Sequence, residues 1–371
     1  MKVLVTGHNG FIGKNLVAML SEKVGLEILT FGSDGSIEQL VDQVKEVEFI
    51  FHLAGVNRPQ QDSEFSKVNT GFTKKLCELA AATGKIIPIV FTSSVHVERD
   101  NTYGKSKLAA EVLLNKYSDI TKSPVYIYRL PHVIGKWCRP NYNSVVATFC
   151  HNIARNLPIN ISDPEFELEI VYIDDLVRNF IELISSSSKV LGLCKVDVTF
   201  KTTVGRLAEQ LQAFKNCRSD LIIENVGVGL IRVLYATYIS YLPNEQFAYS
   251  LNGHSDQRGT FVELLKTKEA GQFSYFTAHP GVTRGGHYHH TKTEKFIVIK
   301  GTARFRFEHL ITGDFFELLT TSNELKMVET IPGWIHDITN IGQDEMIVML
   351  WANEIFNPEL PDTFMKKIQH L

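Results

Sequence analysis

Hydrophobic and polar positions follow two different rhythms along the chain, and the change near residue 245 divides it. From 1 to about 185, apolar runs ("KVLVTG", "LEILTF", "FIFHLAG", "IIPIVFTSS", "PVYIYRLPHVIG") are separated by polar turns and helix-like segments. Alternating strand and helix predicts a doubly wound, parallel α/β sheet of Rossmann type, because parallel neighbours need a crossover between them. The stretch "NTYGKSKLAAEVLLNKY" reads as a helix, on Leu108, Val112 and Leu113 with Lys and Glu between them. Residues 190–240 look mixed and mostly helical; "GVGLIRVLYATYISYL" carries Arg232 and reads as a buried or docking helix rather than a membrane span. Pro243 and Asn244 then punctuate the chain. The runs after them ("GTFVELLK", "QFSYFTAH", "EKFIVIKGTARFRFEH", "FFELLTT", "KMVETIPG", "EMIVMLWANEIF") predict an all-β module of sandwich or barrel type. The expected domains are 1–245 and 246–371.

Length agrees with that division, since 371 residues exceed the size at which one core usually splits. Composition narrows the partners. With 44 % hydrophobic and 21 % charged residues and a net charge of -3, the chain has no basic excess, so no nucleic-acid partner is expected. No apolar run reaches ~18 residues and "MKVLVTG" is too short for a signal segment, so no membrane association is expected. Five cysteines with no C-x-x-C pair predict a reducing, cytoplasmic location.

The first candidate chemistry is "MKVLVTGHNGFIGKNL", which sets Gly7, Gly10 and Gly13 after a strand and at the opening of a helix, with Phe11 and Ile12 between them. A turn without side chains lets a pyrophosphate approach backbone N–H groups where the helix dipole favours negative charge. The same turn without a ligand is the plainer reading of the glycines alone. Further on, Tyr103 and Lys107 in "TYGKSK" are four apart and share a helix face, and Ser94 ends the strand "VFTSS". A phenol with a free pKa near ~10 is a poor acid at neutral pH, and a neighbouring ammonium lowers it. Singly, Ser94 is a turn residue, Tyr103 a core-rim residue and Lys107 a surface residue.

Together, "TGHNGFIG", "FHLAG", "TSS", "YGKSK", "YRLPHVIG" and "VYIDDLV" resemble the extended short-chain dehydrogenase/reductases that act on nucleotide sugars, over the first ~240 residues. The resemblance implies a nicotinamide dinucleotide held by Gly7, Gly10, Phe11, Ile12, Gly13, Tyr103 and Lys107. It implies Tyr103 as proton donor, Lys107 as ribose ligand and pKa-lowering cation, and Ser94 as the group orienting the carbonyl. Asn69 matches a family asparagine under the active site, though it could equally cap a helix. The second strand, "LEILTFGSDG", has no acid at its terminus, only Asp34 three residues after Phe31, which favours NADPH over NADH. Lys14 and Arg58 are candidate phosphate partners. Arg139, in "RPNYN", is a candidate diphosphate contact or a solvated loop residue.

The second candidate chemistry is "GVTRGGHYHHTKTEKFIVIKG" at 281–301, with "IPGWIHDITN" behind it. The spacing of Gly281, His287, His289, Glu294 and Gly301, and of Gly333, His336 and Asn340, resembles the two cupin motifs, although Pro332 lies one residue closer to its glycine than usual. A cupin β-barrel over 250–371 is what this resemblance implies. Residues i and i+2 of a strand face one side, so His287 and His289 can point inward together. With Glu294 and His336 they suit a divalent metal, Zn being favoured. His290 is the rival of His289, since a bulge would exchange them. "SDQRGTFVELL" and "SYFTAHPGVTRGGHYHH" also resemble the dTDP-sugar 3,5-epimerases, which implies a metal-free reading: His287 as the base that removes a carbon-bound proton, and Arg258 and Arg284 as diphosphate contacts.

A 4-keto sugar nucleotide unites the halves, because the ketone acidifies the C3 hydrogen and is itself the group to be reduced. The whole architecture resembles the bifunctional capsular polysaccharide synthesis family typified by CapF. That resemblance implies C3 epimerisation of a UDP-2-acetamido-2,6-dideoxy-4-keto-hexose, then NADPH-dependent reduction at C4 to the 6-deoxy-L-talose derivative, a precursor of UDP-N-acetyl-L-fucosamine. A homodimer is expected by the same analogy. The alternatives are a 4-keto reductase whose β module is only structural or dimerising, and a degenerate N-terminal binding module.

Overall fold

The computed structural model describes residues 1–57, 61, 63–185, 192–247, 249–290 and 292–369. Arg58, the second candidate phosphate partner, lies outside them. The chain forms two compact units, Met1–Leu211 with Gly227–Pro243, and Gln212–Val226 with Asn244–Leu371.

The first unit is built on a parallel sheet of β1 (Lys2–Thr6), β2 (Glu27–Phe31), β3 (Phe49–His52), β4 (Ile89–Ser94) and β5 (Val125–Leu130). β6 (His132–Ile134) and β7 (Glu167–Tyr172) come next in the chain, then β8 (Gly192–Cys194) and β9 (Phe200–Thr203). The main sheet runs β2-β1-β3-β4-β5-β8 with every pairing parallel. β3 and β4 are buried at every position, as strands covered on both faces must be. A smaller sheet, β6-β7-β9, ends with β9 antiparallel.

The helices that matter for the site are α1 (Phe11–Ser21), α2 (Ile37–Glu46), α3 (Phe72–Ala82) and α4 (Thr102–Thr121). A wide π-helical turn, Phe65–Gly71, precedes α3 and carries Asn69. Asn101 caps α4 by accepting from the Gly104 N–H at 2.7 Å. The apolar residues that mark α4 in the sequence are not its buried face. Leu108 and Val112 are 42 % and 61 % exposed, and the helix buries Gly104, Ser106, Lys107, Ala110, Glu111, Leu114 and Tyr117 instead. A polar face can be inward because it is paired: Glu111 accepts from Arg129 (3.1 and 2.7 Å) and from the Ser93 hydroxyl. Helix Gly229–Ile239 buries Val233, Leu234 and Tyr238, as its apolar run predicts. Among the described residues no helix is long and apolar enough to cross a membrane.

The second unit is mostly strand: β10 (Ile222–Ile223), β11 (Gly253–Asp256), β12 (Gly259–Thr267), β13 (Gly271–Ala278), β14 (Thr283–Tyr288) and β15 (Glu294–Lys300). Then come β16 (Thr302–His309), β17 (Phe315–Thr321), β18 (Met327–Glu329), β19 (Trp334–Asn340), β20 (Met346–Ala352) and β21 (Phe364–Met365). Residues 212–226 join this unit, from before position 245, where β10 pairs with β12. One sheet is β10-β12-β13-β20-β15-β18 with β11 beside β12, and the other is β17-β16-β19-β14-β21. Phe276, Phe296, Val298, Phe305, Ile338 and Val348, drawn from both sheets, make one core. "EKFIVIKGTARFRFEH" is two strands of different sheets, turned at Gly301 (φ 96°), where a Cβ would come 3.1 Å from the Met346 Cα.

Candidate functional site

Two clusters carry the candidate chemistry, one in each unit. In the first, Gly7 (φ 72°) turns the chain out of β1 and donates its N–H to Phe31 O at 2.8 Å. Each glycine has its own reason. A Cβ on Gly7 would lie 2.6 Å from Ala54 N, one on Gly10 3.2 Å from Gly7 O, and one on Gly13 would strike Gly7 O itself. Gly10 is the N-cap of α1 with no side-chain cap, so the first N–H groups of that helix, beginning at Phe11 and Ile12, are not satisfied by a capping side chain, which suits an anionic group. Asp34 folds back on the end of β2: its Oδ1 is 2.6 Å from where a Gly32 Cβ would be, with His8 Cε1 on the same spot at 3.0 Å. Lys14 is exposed on α1.

β4 delivers Ser94 and α4 delivers Tyr103 and Lys107. Ser94 is buried, accepts from His96 N at 3.2 Å and hydrogen-bonds Tyr103. Burial raises the Tyr103 phenol above its ordinary value, and the Ser94 bond acts the other way. Lys107 is buried beneath it, donates to Thr92 O at 2.9 Å and sits 4.8 Å above the Phe91 ring. Burial pushes its ammonium down to about 8, against a smaller upward pull from Glu111. Gly55 is what lets the parts converge, since a Cβ there would lie 3.1 Å from both Lys107 Nζ and Asn69 Oδ1. Asn69 is no helix cap: its amide clamps Val56 N (2.8 Å) and O (3.0 Å) and donates to Ser106 Oγ at 3.0 Å. Gly104, unmarked in the sequence reading, lies so close to the His96 carbonyl that no side chain fits. Arg139 is exposed, its guanidinium 5.2 Å from the Tyr142 ring centroid.

In the second unit, ligand atoms of His287, His289, Glu294 and His336 all lie within 4.8 Å of one another. His289 Nε2 is 3.1 Å and His336 Nε2 3.5 Å from the same Glu294 Oε2. His290 lies outside the cluster, exposed, with its ring on Phe364 at 4.8 Å and its N–H donated to Asp362 Oδ1. The proton positions on the rings follow from their partners. His289 Nδ1 meets the Asp362 carbonyl and His336 Nδ1 the Trp334 carbonyl, at 3.3 Å for the second, so both Nδ1 atoms donate and both Nε2 atoms are turned towards Glu294. Two imidazole Nε2 atoms converging on a carboxylate, with His336 Nε2 buried and without a hydrogen bond among the described residues, form a nitrogen and oxygen ligand set that a divalent cation satisfies. Burial raises the Glu294 carboxyl, but the His289 and His336 rings that face it and the Lys292 charge outweigh it and hold the group far below the carboxylate range. His287 is the most exposed of the four and is pushed down to about 3, first by burial and then by His336.

A bulge sets the rest. β14 pairs with β19 as Arg284 with Ile338 and Gly285 with Asp337, then skips Gly286 and pairs His287 with His336. Residues three apart on a regular strand face opposite ways, and the extra residue restores Arg284 and His287 to one face. Arg284 accordingly lies 4.9 Å over the inward Phe276 ring, half-buried, its guanidinium lowered by burial and then by Arg258. Arg258 is exposed and held by Asp256 at 2.6 Å. Lys292, with Nζ 3.5 Å from Glu294 Oε1, was not singled out in the sequence: a lysine in a polar loop carries no signal of burial.

The model of the NAD dependent epimerase/dehydratase family matches residues 3–192, and that of the polysaccharide biosynthesis C-terminal domain matches 254–364. A UDP-2-acetamido-2,6-beta-L-arabino-hexul-4-ose reductase of Pseudomonas aeruginosa is 54 % identical over 364 residues, 98 % of either chain. The crystal structure of the capsular polysaccharide assembling protein CapF from Staphylococcus aureus superposes with a TM-score of 0.92 at 39 % identity, covering 99 % of this chain and 100 % of that one. CapF with the inhibitor 3-isopropenyl-tropolone superposes at 0.88, with 35 % identity and the same coverage.

Proposed function

This chain belongs to the CapF family, a nucleotide-sugar reductase domain of epimerase/dehydratase type followed by a polysaccharide biosynthesis C-terminal domain, and on that premise we propose a two-step activity. The C-terminal unit inverts C3 of a UDP-2-acetamido-2,6-dideoxy-4-keto-hexose. The N-terminal unit then reduces C4 to the UDP-2-acetamido-2,6-dideoxy-L-talose, a precursor of UDP-N-acetyl-L-fucosamine for capsule. The observation that carries this reading is that one chain holds both a Ser94–Tyr103–Lys107 set, with Ser94 and Lys107 buried and Tyr103 half-buried, and a three-histidine, one-carboxylate cluster buried except at His287.

For the first step, His287 in its neutral form accepts the C3 proton and a proton returns to the opposite face, inverting the carbon. Arg284, on the same face of the sheet, and Arg258 beside it suit the substrate diphosphate. His289, Glu294 and His336 would hold a divalent metal, Zn being favoured by the nitrogen-rich set. Such an ion acts as a Lewis acid towards a developing oxyanion. His287 is assigned to the proton because, of the three histidines, it alone has no ion pair with a carboxylate among the described residues and is the least buried.

For the second step, hydride passes from the dihydronicotinamide to C4 while Tyr103 gives its phenolic proton to the C4 oxygen, with Ser94 orienting that oxygen. Lys107 stabilises the phenolate left behind. Epimerisation precedes reduction, because reduction removes the ketone that acidifies C3. The dinucleotide is proposed to be NADPH, on the missing acid at the last position of β2. Asp34, folded back on Gly32, is the group that would reverse that preference, and paired kinetics with NADPH and NADH decide it. A homodimer in the cytoplasm completes the proposal.

The test is to incubate the UDP-4-keto-6-deoxy sugar with the protein in deuterated water and follow C3 by NMR. Deuterium enters C3 without NADPH, chelation of the protein beforehand prevents that exchange, and adding NADPH yields the C4 alcohol. No exchange at C3 would overturn the epimerase assignment.

A further inference from the structure

His52 closes β3 inside the reductase unit and is wholly buried, between Thr6 at the end of β1 and Thr73 at the start of α3. Its hydrogen bonds have one consistent direction. Thr73 Oγ1 donates to Asn69 O at 2.6 Å, which uses the only hydroxyl hydrogen it has. The 2.8 Å contact between Thr73 Oγ1 and His52 Nε2 therefore requires Nε2 to carry the proton. Nδ1 is then bare and accepts from Thr6 Oγ1 at 2.9 Å, and that oxygen in turn accepts from Ala54 N at 3.3 Å.

Past Thr73 the line continues in the same sense. The Asn69 amide donates to Ser106 Oγ at 3.0 Å, and Ser106 donates to the Tyr103 carbonyl at 2.8 Å. Every donor points from the glycine turn towards α4, in two relays that meet at Asn69, whose backbone carbonyl ends the first and whose side-chain amide begins the second. The His52 ring also lies 5.3 Å from Phe91, the ring above which the Lys107 ammonium sits. Neutrality is enforced on the imidazole, which burial and then the Lys107 charge push down to about 3.

We propose that His52 is a positioning residue of the reductase site, a neutral Nε2–H imidazole that ties the dinucleotide-binding turn to Asn69 and through it to the backbone carrying Tyr103 and Lys107. It touches neither substrate nor dinucleotide. One of its arms holds the turn, through Thr6, and the other holds the catalytic helix, through Thr73 and Asn69.

The two arms can be cut separately, because an asparagine reproduces a ring nitrogen at the Nδ1 position and a glutamine one at Nε2. The inference rests on the reductase reading, so wild-type full-length protein is first assayed for NADPH oxidation with the UDP-4-keto-6-deoxy sugar; a silent wild type sinks that reading itself. With an active wild type, His52→Asn keeps the Thr6 arm and loses the Thr73 arm. It lowers kcat about 10- to 100-fold with the dinucleotide KM within about threefold, the scale of a misplaced catalytic group. His52→Gln does the reverse, raising the dinucleotide KM about tenfold, one hydrogen bond's worth, with kcat within about threefold.

Thr73→Val cuts the same arm as His52→Asn without touching the histidine, and serves if either histidine variant fails to fold. It lowers kcat to the same degree, and the double variant Thr73→Val with His52→Asn is no worse than about twofold beyond either single change. Losses of kcat and KM that move together in both histidine variants, or a multiplicative double variant, overturn the proposal and leave His52 a packing residue.

Discussion

Replacing Lys107 with methionine stabilises the protein at neutral pH while abolishing its reductase activity. The reason lies in the burial of an ammonium that folding takes out of water. Its pKa falls from 10.5 to about 8, so at pH 7 the charged form is disfavoured by the fold by roughly 3 kcal/mol, at about 1.4 kcal/mol per pH unit. Methionine has nearly the same length and no charge. It forfeits the bond to Thr92 O, about 1 kcal/mol, and the ammonium's place over the Phe91 ring, on the order of 1 kcal/mol. The net gain is therefore roughly 1 kcal/mol at pH 7.

The sign with pH follows from the same shift. Between about 8 and 10.5 the folded lysine has released its proton and the unfolded one has not, so wild-type stability rises with pH through that window. Urea melts of wild type and Lys107→Met at pH 7 and pH 10 measure this directly. The advantage of the variant shrinks, and reverses, at the higher pH. A variant less stable than wild type at pH 7, or a difference that ignores pH, would refute the account of Lys107 as a buried and strained cation.

Other changes separate the two clusters. Tyr103→Phe stops NADPH oxidation by at least ~100-fold and leaves deuterium exchange at C3 intact, read by absorbance and NMR on one preparation. His287→Gln abolishes C3 exchange yet retains bound metal by elemental analysis, whereas Glu294→Gln loses both, and metal lost from the first variant would place His287 among the ligands. Gly286→Ala costs about 1–2 kcal/mol for its φ of 78° in open surroundings. Gly285→Ala costs more, because its Cβ would also lie 3.0 Å from the His336 carbonyl. Denaturant melts that rank them the other way would show that the bulge is not held by backbone conformation.

How legible these sites were depends on how local each signal is. Gly7, Gly10 and Gly13 are readable because a strand, a turn and a helix start within a few residues dictate them. The pair His287 and His289 is suggested by their spacing of two, but β14 is bulged and ends at Tyr288, so only the fold separates His289 from its rival His290. Helix α4 misleads for a physical reason: its hydrophobic residues Leu108 and Val112 lie outward, while Lys107 and Glu111 lie inward on partners from other strands. No pattern along one segment reveals such pairing. His52 is silent for the same cause, since Thr6 and Thr73 become its neighbours only in three dimensions, and Lys292 is silent because nothing in its polar loop marks it as buried. Arg284 would be assigned to the wrong face by counting, because the bulge at Gly286 is a property of the β14–β19 register.

The carbonyl that fixes the proton on His289 belongs to Asp362, 73 residues further along the chain. On a ribosome adding about 5–20 residues per second, His289 is added several seconds before that carbonyl exists. Until Asp362 is in place, that contact is missing and the ring of His289 is not fixed by it. The order of the cluster is thereby a property of the folded unit as a whole, and not of the 287–294 segment that carries three of its four side chains.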